Sequence, residues 1–408
     1  MRVMPEAIIA AAARSPIGRA AKGSLVDMRA DDLVAQIISG ALEQIPQLDP
    51  TTIDDLVLGC AQPAGEQGYN LGRMAALRLD LDTVPGTTVH RYCASSLQAI
   101  RIASHAIRAG EGHAFVAAGV ETVSRYPLGK ADGMPETRNQ RYARSEERTD
   151  AGVDEIDMWA DPRDTGRVPD AYMSMGETAE NVARLYGVSR EDQDRFAVRS
   201  QNLAEAAIAR GFYERDITPV TRPDGTVVRA DDSPRSGVTV DGISEMTPVF
   251  RPDGTVTAAN CCPLNDGAAA LVVMSDVRAR ELGVEPLARV VSTGVSALSP
   301  EIMGLGPIEA SRAAVARAGL TLADIDLVEI NEAFAAQVLP CVDELGIDFD
   351  RVNVNGGAIA LGHPFGSTGA RMATTLLHGL QERQARYGLE TMCAAGGQGM
   401  AMVIERLS

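Results

Sequence analysis

The chain has 408 residues, of which 45% are hydrophobic and 23% are charged. This length exceeds one ordinary hydrophobic core and predicts a globular protein with two or more domains. A formal net charge of −17 argues against a surface for nucleic acid or anionic membranes, because phosphate groups are attracted to positive patches. Lys22 and Lys130 are the only lysines, so any phosphate must be bound locally by arginine.

The number and spacing of the cysteines indicate the cellular compartment and whether a metal site is expected. Six cysteines in so long a chain do not indicate a disulfide framework, and we expect a reducing cytoplasm. No pair has the CxxC spacing of a zinc site, and adjacent Cys261 and Cys262 lack nearby histidines, so no metal site is expected. The first 13 residues lack the features of a signal peptide, and no window of 18 apolar residues predicts a membrane span.

The first 120 residues alternate predicted strands with predicted helices. Strands are predicted at 7–13, 53–59 and 114–119, and a helix at 70–79. Another helix is predicted to start at a cap formed by Asp31 or Asp32. Such alternation is typical of a mostly parallel sheet that is covered by helices on both faces.

Residues 121 to about 250 interrupt this rhythm. The segment is rich in charged residues, glycine and proline, and it contains two predicted helices, at 177–186 and 190–210. No apolar pattern in it predicts a core of its own. We therefore expect a long insertion that lies over the main body and carries binding residues.

The opening pattern then returns. Strands are predicted at 287–291, 325–330, 352–354 and 391–396, with a helix at 308–318. Matched strands of the two parts lie about 270 to 280 positions apart, which predicts a duplicated α/β unit. We expect one half to comprise 1–120 plus 249–276, the inserted loop domain to comprise 121–248, and the second half to comprise 277–408.

Cys93 lies where a predicted strand that ends near Val89 gives way to a predicted helix. Backbone N–H groups and the dipole at a helix N-terminus favour an anion, so a thiol there is predicted to ionise more readily than a free one. The sequence indicates a nucleophile at this corner. A small buried core residue is the alternative reading of the same stretch.

Three further stretches concentrate chemistry, and each follows a predicted strand, where open α/β sheets place their sites. They carry Asn331, His363 and Cys393. An imidazole can accept a thiol proton or hold an anionic oxygen, although a loop histidine is often only structural. Asn331 either donates an amide hydrogen bond in the site or caps a helix that begins at Glu332. Cys393 alone is equally compatible with a core position.

Taken together, these residues resemble the thiolases, the acyl-CoA:acetyl-CoA C-acyltransferases. The matching segments are 14–18, 87–100, 119–124, 175–181, 254–260 and 265–268, followed by Asn-Glu-Ala-Phe at 331–334, Gly-His-Pro at 362–364 and Cys-x-x-Gly-Gly at 393–397. The last three motifs, in this order behind a distant cysteine, are highly specific. The resemblance covers essentially the whole chain and implies duplicated α/β halves in a layered α-β-α-β-α core with an inserted loop domain.

The resemblance also implies roles for the site residues. Cys93 would be the acylated nucleophile, and His363 would activate it and help to hold the thioester oxygen. Asn331 would position a water in that first oxyanion site. Cys393 would be the second acid/base, and the backbone N–H groups of Cys93 and Ala395 would form the second oxyanion hole. No metal or redox cofactor is implied, and coenzyme A (CoA) enters as a co-substrate.

Substrate contacts follow from the same resemblance. Met175 and Phe334 resemble residues that line the acyl pocket, and Arg222 is placed like an arginine near the CoA nucleotide. Cys262 occupies the position of a serine that lies against the CoA pantetheine. At two other positions this chain departs from the glycine that is common in the family. Ser96 is expected to tighten helix packing, and the methyl group of Ala395 is tolerable if its φ is negative.

Among thiolases, the motif versions at 362–366 and 393–399 look more like degradative members, which points to a 3-ketoacyl-CoA thiolase of fatty acid β-oxidation. The polar stretch 126–168 is long enough to remodel an acyl tunnel. A biosynthetic acetoacetyl-CoA thiolase is the alternative, and a non-catalytic acyl-CoA carrier or a redox-thiol protein using Cys261 and Cys262 is the alternative outside this class. The family implies a homodimer or homotetramer.

Overall fold

The computed structural model describes residues 4–129, 138–150 and 159–408. In the first part of the chain the elements are β1 Ala7–Arg14, β2 Gly18–Arg19, α1 Ala30–Glu43, β3 Asp55–Gly59, α2 Leu71–Arg78, β4 Gly86–Val89, α3 Ser95–Ala109 and β5 Ala114–Thr122. The middle part contains α4 Tyr126–Gly129, α5 Ala143–Asp150, α6 Met175–Tyr186, α7 Arg190–Ala209, β6 Val220–Thr221, β7 Val227–Val228 and α8 Val240–Ser244. The last part contains β8 Asn265–Ser275, α9 Asp276–Leu282, β9 Ala288–Ala297, α10 Gly306–Arg317, β10 Leu327–Ile330, α11 Ala335–Leu345, α12 Ala358–Leu361, α13 Thr368–Arg383, β11 Tyr387–Ala394 and β12 Gln398–Arg406.

One hydrogen-bonded sheet runs through both halves of the chain in the order β10-β11-β12-β9-β1-β8-β5-β3-β4. Strand β3 pairs in parallel with β4 and β5, and β10 pairs in parallel with β11. The pairs in the middle of the sheet are antiparallel. The prediction of a mostly parallel sheet is therefore wrong, because β8 and β12 each run antiparallel to both of their neighbours.

Alternating side chains of the strands divide the core into layers, as expected where both faces of a sheet are buried. Leu56, Leu58 and Val116 pack on one face with α1 and α2. Val57 and Phe115 pack on the other face with α3 and α13. Met392, Met400 and Met402 from the second half pack on this same helical layer, and the opposite face of their strands packs with α10 and α11. The parts of the continuous sheet that belong to the first and to the second half form two sheet layers. The layers are therefore helix, sheet, helix, sheet and helix, which confirms the expected order.

The two halves have the same strand order. From the edge of the sheet to its middle, the first half has β4, β3, β5, β8 and β1. The second half has Val352 in the position of β4, followed by β10, β11, β12 and β9, and the pairing of β1 with β9 joins the halves. The prediction of a strand at 352–354 is wrong, because only Val352 bridges Val328. Asn353 has a φ of 45°, which ends the extended backbone there, and its amide bonds the N–H and carbonyl of Ile330 instead.

The segment between β5 and β8 packs on the main body. Ala204 of α7 forms a small apolar cluster with Phe212 and Tyr213, which follow this helix in the chain. Ile17 and Leu361 belong to the same cluster. The division into 1–120 plus 249–276, 121–248 and 277–408 stays a prediction. Residues 130–137 and 151–158, which belong to the stretch expected to remodel an acyl tunnel, lie outside the described residues.

Two smaller findings complete the comparison with the predicted elements. Helix α1 begins at Ala30 behind Arg29, without a side-chain cap, and Asp31 and Asp32 lie in its first turn. The predicted aspartate cap is therefore wrong, although both carboxylates still face the positive end of the helix dipole. Within the described ranges, no helix combines the length and the apolar character that crossing a membrane requires.

Arg14 ties the inserted segment to the central sheet. This side chain is fully buried at the end of β1, and its two terminal nitrogens contact the Asp231 carboxylate at 2.7 and 3.0 Å. Its Nε lies 3.6 Å from Asp216, and the Tyr213 ring stacks on the guanidinium at 5.2 Å. Removing one partner of such a buried pair leaves an uncompensated charge in a region of low dielectric.

We expect Arg14→Met to lower the free energy of unfolding by about 3–5 kcal/mol, because it leaves the Asp231 carboxylate without its buried cation and leaves Asp216 with only its contacts to His378 and Thr375. The matched control is Arg195→Met, which removes an ion pair with Glu191 whose two side chains are both 65% exposed, and it should cost less than about 1 kcal/mol. Urea unfolding followed by circular dichroism compares the two. Equal losses would contradict the anchoring role of Arg14.

Candidate functional site

Cys93 occupies a tight corner between β4 and α3. Tyr92, directly before it, has a φ of 43°, in the left-handed region that residues other than glycine rarely adopt. The Ser95 hydroxyl stabilises this corner, since it accepts from the Arg91 N–H at 2.9 Å and donates to the Tyr92 carbonyl at 2.6 Å. Helix α3 begins only two residues after Cys93. Cys93 is buried, with 9% of the residue exposed.

Cys393 approaches the same point from the second half of the chain. It lies next to the end of β11 and is fully buried. The chain turns into β12 through Ala395, Gly396 and Gly397, and both glycines have a φ of 76°. Ala395 is not among the residues with positive φ, so the condition for its methyl group is met. Its backbone N–H and that of Cys93 both point to the Cys93 thiol and favour its thiolate.

His363 and Asn331 form a buried pair beside these thiols. Asn331 Nδ2 lies 3.3 Å from His363 Nε2, and the Asn331 N–H donates to the carbonyl of Thr391, two residues before Cys393. Helix α11 begins at Ala335 rather than at Glu332, so the prediction of Asn331 as its cap is wrong. The other ring nitrogen, Nδ1, lies 2.7 Å from the Thr368 hydroxyl.

Glu121, at the end of β5, holds the loop of His363 against the first half. Its buried carboxylate accepts N–H groups from Gly366 at 2.9 Å and from Ala61 at 2.8 Å, and the hydroxyl of Tyr126 at 2.8 Å. Ser96 adds a second link, because its hydroxyl accepts the Ala370 N–H in the first turn of α13 at 2.9 Å. This bond satisfies one of the unpaired N–H groups at the start of that helix, in agreement with the expected tightening of helix packing.

Burial sets the protonation of all three reactive groups. It raises the pKa of the Cys93 thiol, and the neighbouring Cys393 and Glu121 raise it further. Burial likewise raises the pKa of Cys393 to about 12. It lowers the pKa of His363 to about 3, and the cationic Arg371 acts in the same direction. The prediction of an easily ionised Cys93 is therefore wrong for the free protein, because desolvation outweighs the two N–H groups.

An apolar cluster adjoins Cys393. Met175 and Phe334 both belong to it, together with Met303 and Cys261. Phe334 also meets the ring of Phe250 edge to face, with centroids 6.1 Å apart. Both residues that were expected to line an acyl pocket therefore belong to the same apolar cluster as Cys393.

A cavity of about 190 Å³ reaches from the protein surface to Cys262. Arg19, Ser233, Arg235, Ala258 and Ile359 are among its other lining residues. Burial raises the pKa of Cys262, and the neighbouring Cys261, Cys93 and Cys393 raise it further. Cys262 therefore lines the cavity and also lies near the two thiols of the candidate site.

Arg222 does not line this cavity. It lies in the turn between β6 and β7, where its side chain contacts Asp27 at 2.6 Å, and its N–H bonds the carbonyl of Thr226. The contact of Arg222 with the CoA nucleotide stays a prediction. The cationic side chains at the cavity are Arg19 and Arg235.

Sequence reasoning missed four residues that the structure brings to the site: Thr368, Glu121, Arg19 and Arg235. Glu121 lay within a matching segment, but its role depends on contacts with loops far away in the chain. Thr368 carried no signal beyond its place after the histidine loop. Within the ranges 4–129, 138–150 and 159–408, no three His, Cys, Asp or Glu side chains are grouped as metal ligands.

Comparisons with known proteins agree with this arrangement. The family model described as "Thiolase, N-terminal domain" matches residues 7–277, and "Thiolase, C-terminal domain" matches residues 284–406. A beta-ketoadipyl-CoA thiolase of Acinetobacter baylyi is 41% identical and a 3-ketoacyl-CoA thiolase of Bacillus subtilis is 42% identical. These alignments cover 99% and 98% of this chain, respectively, and 100% of each relative.

The solved structure of the Bacillus anthracis acetyl-CoA acetyltransferase is 37% identical, with a TM-score of 0.85 over 100% of both chains. The matches extend over both halves of the molecule and over the segment inserted between them. Cys93, which follows β4, and Cys393, near the end of β11, therefore lie in a fold that resembles the matched proteins along the whole chain. This chain belongs to the thiolase family of acyltransferases.

Proposed function

We propose that the protein cleaves 3-ketoacyl-CoA with CoA as co-substrate, through an acyl group carried on Cys93, and releases acetyl-CoA. The observation that carries the proposal is the convergence of two thiols from different halves of the chain beside a neutral imidazole. Cys93 meets the Ala395 N–H next to Cys393, and His363 is joined to the same strand end through Asn331. A carrier protein needs none of these acid/base groups.

In the first half of the reaction, Cys93 Sγ attacks the 3-keto carbon and its proton passes to His363 Nε2. The bond between C2 and C3 breaks, and its electron pair forms the enolate of acetyl-CoA. The N–H groups of Cys93 and Ala395 stabilise the enolate oxygen, and the Cys393 thiol protonates C2. A pKa of about 12 keeps Cys393 protonated at neutral pH, which is the state that cleavage requires.

In the second half, the thiol of CoA attacks the acyl-Cys93 carbonyl. Its proton passes to the Cys393 thiolate, and the imidazolium of His363 returns its proton to the departing Cys93 sulfur. Asn331, 3.3 Å from His363 Nε2, is placed to orient a water for the thioester oxygen. Both groups thereby regain their starting protonation states.

We propose an apolar acyl chain longer than that of acetoacetyl-CoA. Support comes from the apolar cluster that contains Met175, Met303, Phe334 and Cys393. Beta-ketoadipyl-CoA is the second candidate, since relatives that are 41% and 43% identical carry that name. For the CoA phosphates, Arg19 and Arg235 at the mouth of the cavity replace Arg222 in the proposal.

Two further parts of the proposal concern setting and assembly. A cytoplasmic location is supported by six cysteines that are all free thiols. A homodimer or homotetramer is proposed from the family alone. The redox-thiol alternative loses support, because burial raises the pKa of Cys261 to about 11 and also raises that of Cys262. Thiols that react in redox exchange are typically low in pKa and accessible.

The pKa shifts predict how the free enzyme reacts with iodoacetamide. Because the pKa of Cys93 is raised and that of His363 is lowered to about 3, no thiolate and imidazolium pair exists at neutral pH. Alkylation of Cys93, followed by peptide mass mapping, should accelerate roughly tenfold per pH unit between pH 7 and 9, in proportion to the thiolate. A rate that is constant across this range would show a preformed thiolate and contradict the account.

Cys393→Ala should separate the two halves of the reaction. Cleavage of a 3-ketoacyl-CoA should fall more than about 100-fold, because the enolate loses its proton donor. Acyl exchange between acyl-CoA and Cys93 forms no enolate and uses Cys393 only to move a proton to or from the CoA sulfur, a step for which water can substitute, so exchange should fall less than about tenfold. The matched control is Cys341→Ala, which removes another buried thiol whose pKa is also raised to about 12 and should leave both rates near wild type. Equal losses of cleavage and exchange in Cys393→Ala would contradict its role.

A thiolysis panel tests the substrate class. With acetoacetyl-CoA, straight-chain 3-ketoacyl-CoAs of increasing length and beta-ketoadipyl-CoA, we expect kcat/KM to be highest for an uncharged chain longer than acetoacetyl. Each added methylene should contribute up to about 1 kcal/mol while it finds apolar surface. A maximum at beta-ketoadipyl-CoA would favour the second candidate, and strict preference for acetoacetyl-CoA would overturn the proposed class.

A further inference from the structure

Thr368 is the one side chain that contacts the far nitrogen of the His363 ring among the hydrogen bonds of the described residues. It is fully buried at the first position of α13, and its hydroxyl oxygen lies 2.7 Å from His363 Nδ1. The same oxygen lies 2.9 Å from the carbonyl oxygen of Pro364. A carbonyl can only accept, so the hydroxyl proton of Thr368 is directed to Pro364 and its lone pair is left for Nδ1–H.

The opposite side of the ring leads to the same assignment. Nε2 faces the amide nitrogen of Asn331, which is a donor, at 3.3 Å. A proton on Nε2 would therefore be directed at another N–H group. A bare Nε2 accepts from Asn331 instead, and the proton of the neutral ring belongs on Nδ1.

We propose that Thr368 is a positioning residue that fixes the tautomer of His363, so that Nε2 is the unprotonated base that meets the Cys93 proton. The inference rests on the proposed function, in which His363 accepts that proton. An imidazole whose tautomer is set by a partner at the other nitrogen is ready as a base at every turnover. Without that partner, the ring divides its population between two neutral forms, of which only one can act on Cys93.

The chain offers a matched pair of hydroxyl groups for the test. Ser367, the residue before Thr368, is also buried and donates to the same Pro364 oxygen at 3.0 Å. No hydrogen bond joins its side chain to the ring of His363 in the described structure. Ser367→Ala therefore removes the local support of the loop and leaves the contact to the imidazole.

The experiment compares Thr368→Val, Thr368→Ser and Ser367→Ala in steady-state thiolysis. Valine keeps the shape and loses the acceptor, so we expect kcat to fall about 10- to 100-fold, within the range that a general base contributes. KM for CoA should stay within about twofold, since the cavity at Cys262 is unchanged. Thr368→Ser should restore kcat to within about threefold of wild type, and Ser367→Ala should have a similarly small effect.

A direct readout does not depend on activity or on the folding of a variant. Solid-state ¹⁵N spectra of wild-type protein labelled in histidine distinguish a bare from a protonated ring nitrogen. The signal of His363 among the five histidines is identified by its loss in His363→Asn. We expect a bare Nε2 and a protonated Nδ1 in wild type and in Thr368→Ser, and a mixture in Thr368→Val. A protonated Nε2 in wild type would overturn the proposal.

Cys93→Ala, run in parallel, separates this inference from the proposed function. If Cys93→Ala is inactive and Thr368→Val equals Ser367→Ala in kcat, only the role of Thr368 falls. If Cys93→Ala retains full thiolysis, the proposed function falls irrespective of Thr368.

Discussion

Desolvation is the constraint on which the site depends. Two thiols and an imidazole lie buried together without a countercharge of their own, so each is held in its neutral form. Arg371, itself buried with Glu329 4.0 Å away, reinforces the neutral state of His363. In the proposed reaction, charge develops only when a substrate is bound, at positions to which fixed N–H groups already point. Donors that need no reorganisation in a region of low dielectric stabilise such charge more strongly than water does.

The duplicated fold explains how these groups meet. The corner after β4 and the end of β11 come together, because the Ala395 N–H and the Cys393 thiol both act on Cys93, and both halves pack on the shared layer of α3 and α13. The first half supplies Cys93 and the buried Glu121 that holds the histidine loop. The second half supplies His363, Asn331 and Cys393. In the proposed mechanism neither half carries the acid, the base and the nucleophile together, so the chemistry requires the packing of both halves.

The sequence predicted most of the elements, and it singled out Cys93, His363 and Cys393, because strand ends and unusual polar residues are local signals. The sequence did not predict the direction of the strands. The antiparallel pairing of β8 and β12 depends on how the chain returns to the sheet, and the spacing of apolar residues carries no information about it. It misjudged the acidity of Cys93, because a helix N-terminus is visible in a sequence whereas full burial by distant segments is not. Arg222 and Arg235 look equivalent in a polar loop, and only the fold of the insertion separates them.

The central claim is that Cys93 carries the acyl group, and trapping that group tests it most directly. Protein mixed with a 3-ketoacyl-CoA in the absence of free CoA, quenched in acid and digested, should show the acyl mass on the peptide that contains Cys93. Addition of CoA before the quench should remove it. No acyl mass on any peptide, or the same mass on a peptide of Cys262 or Cys393 in place of Cys93, would contradict the account.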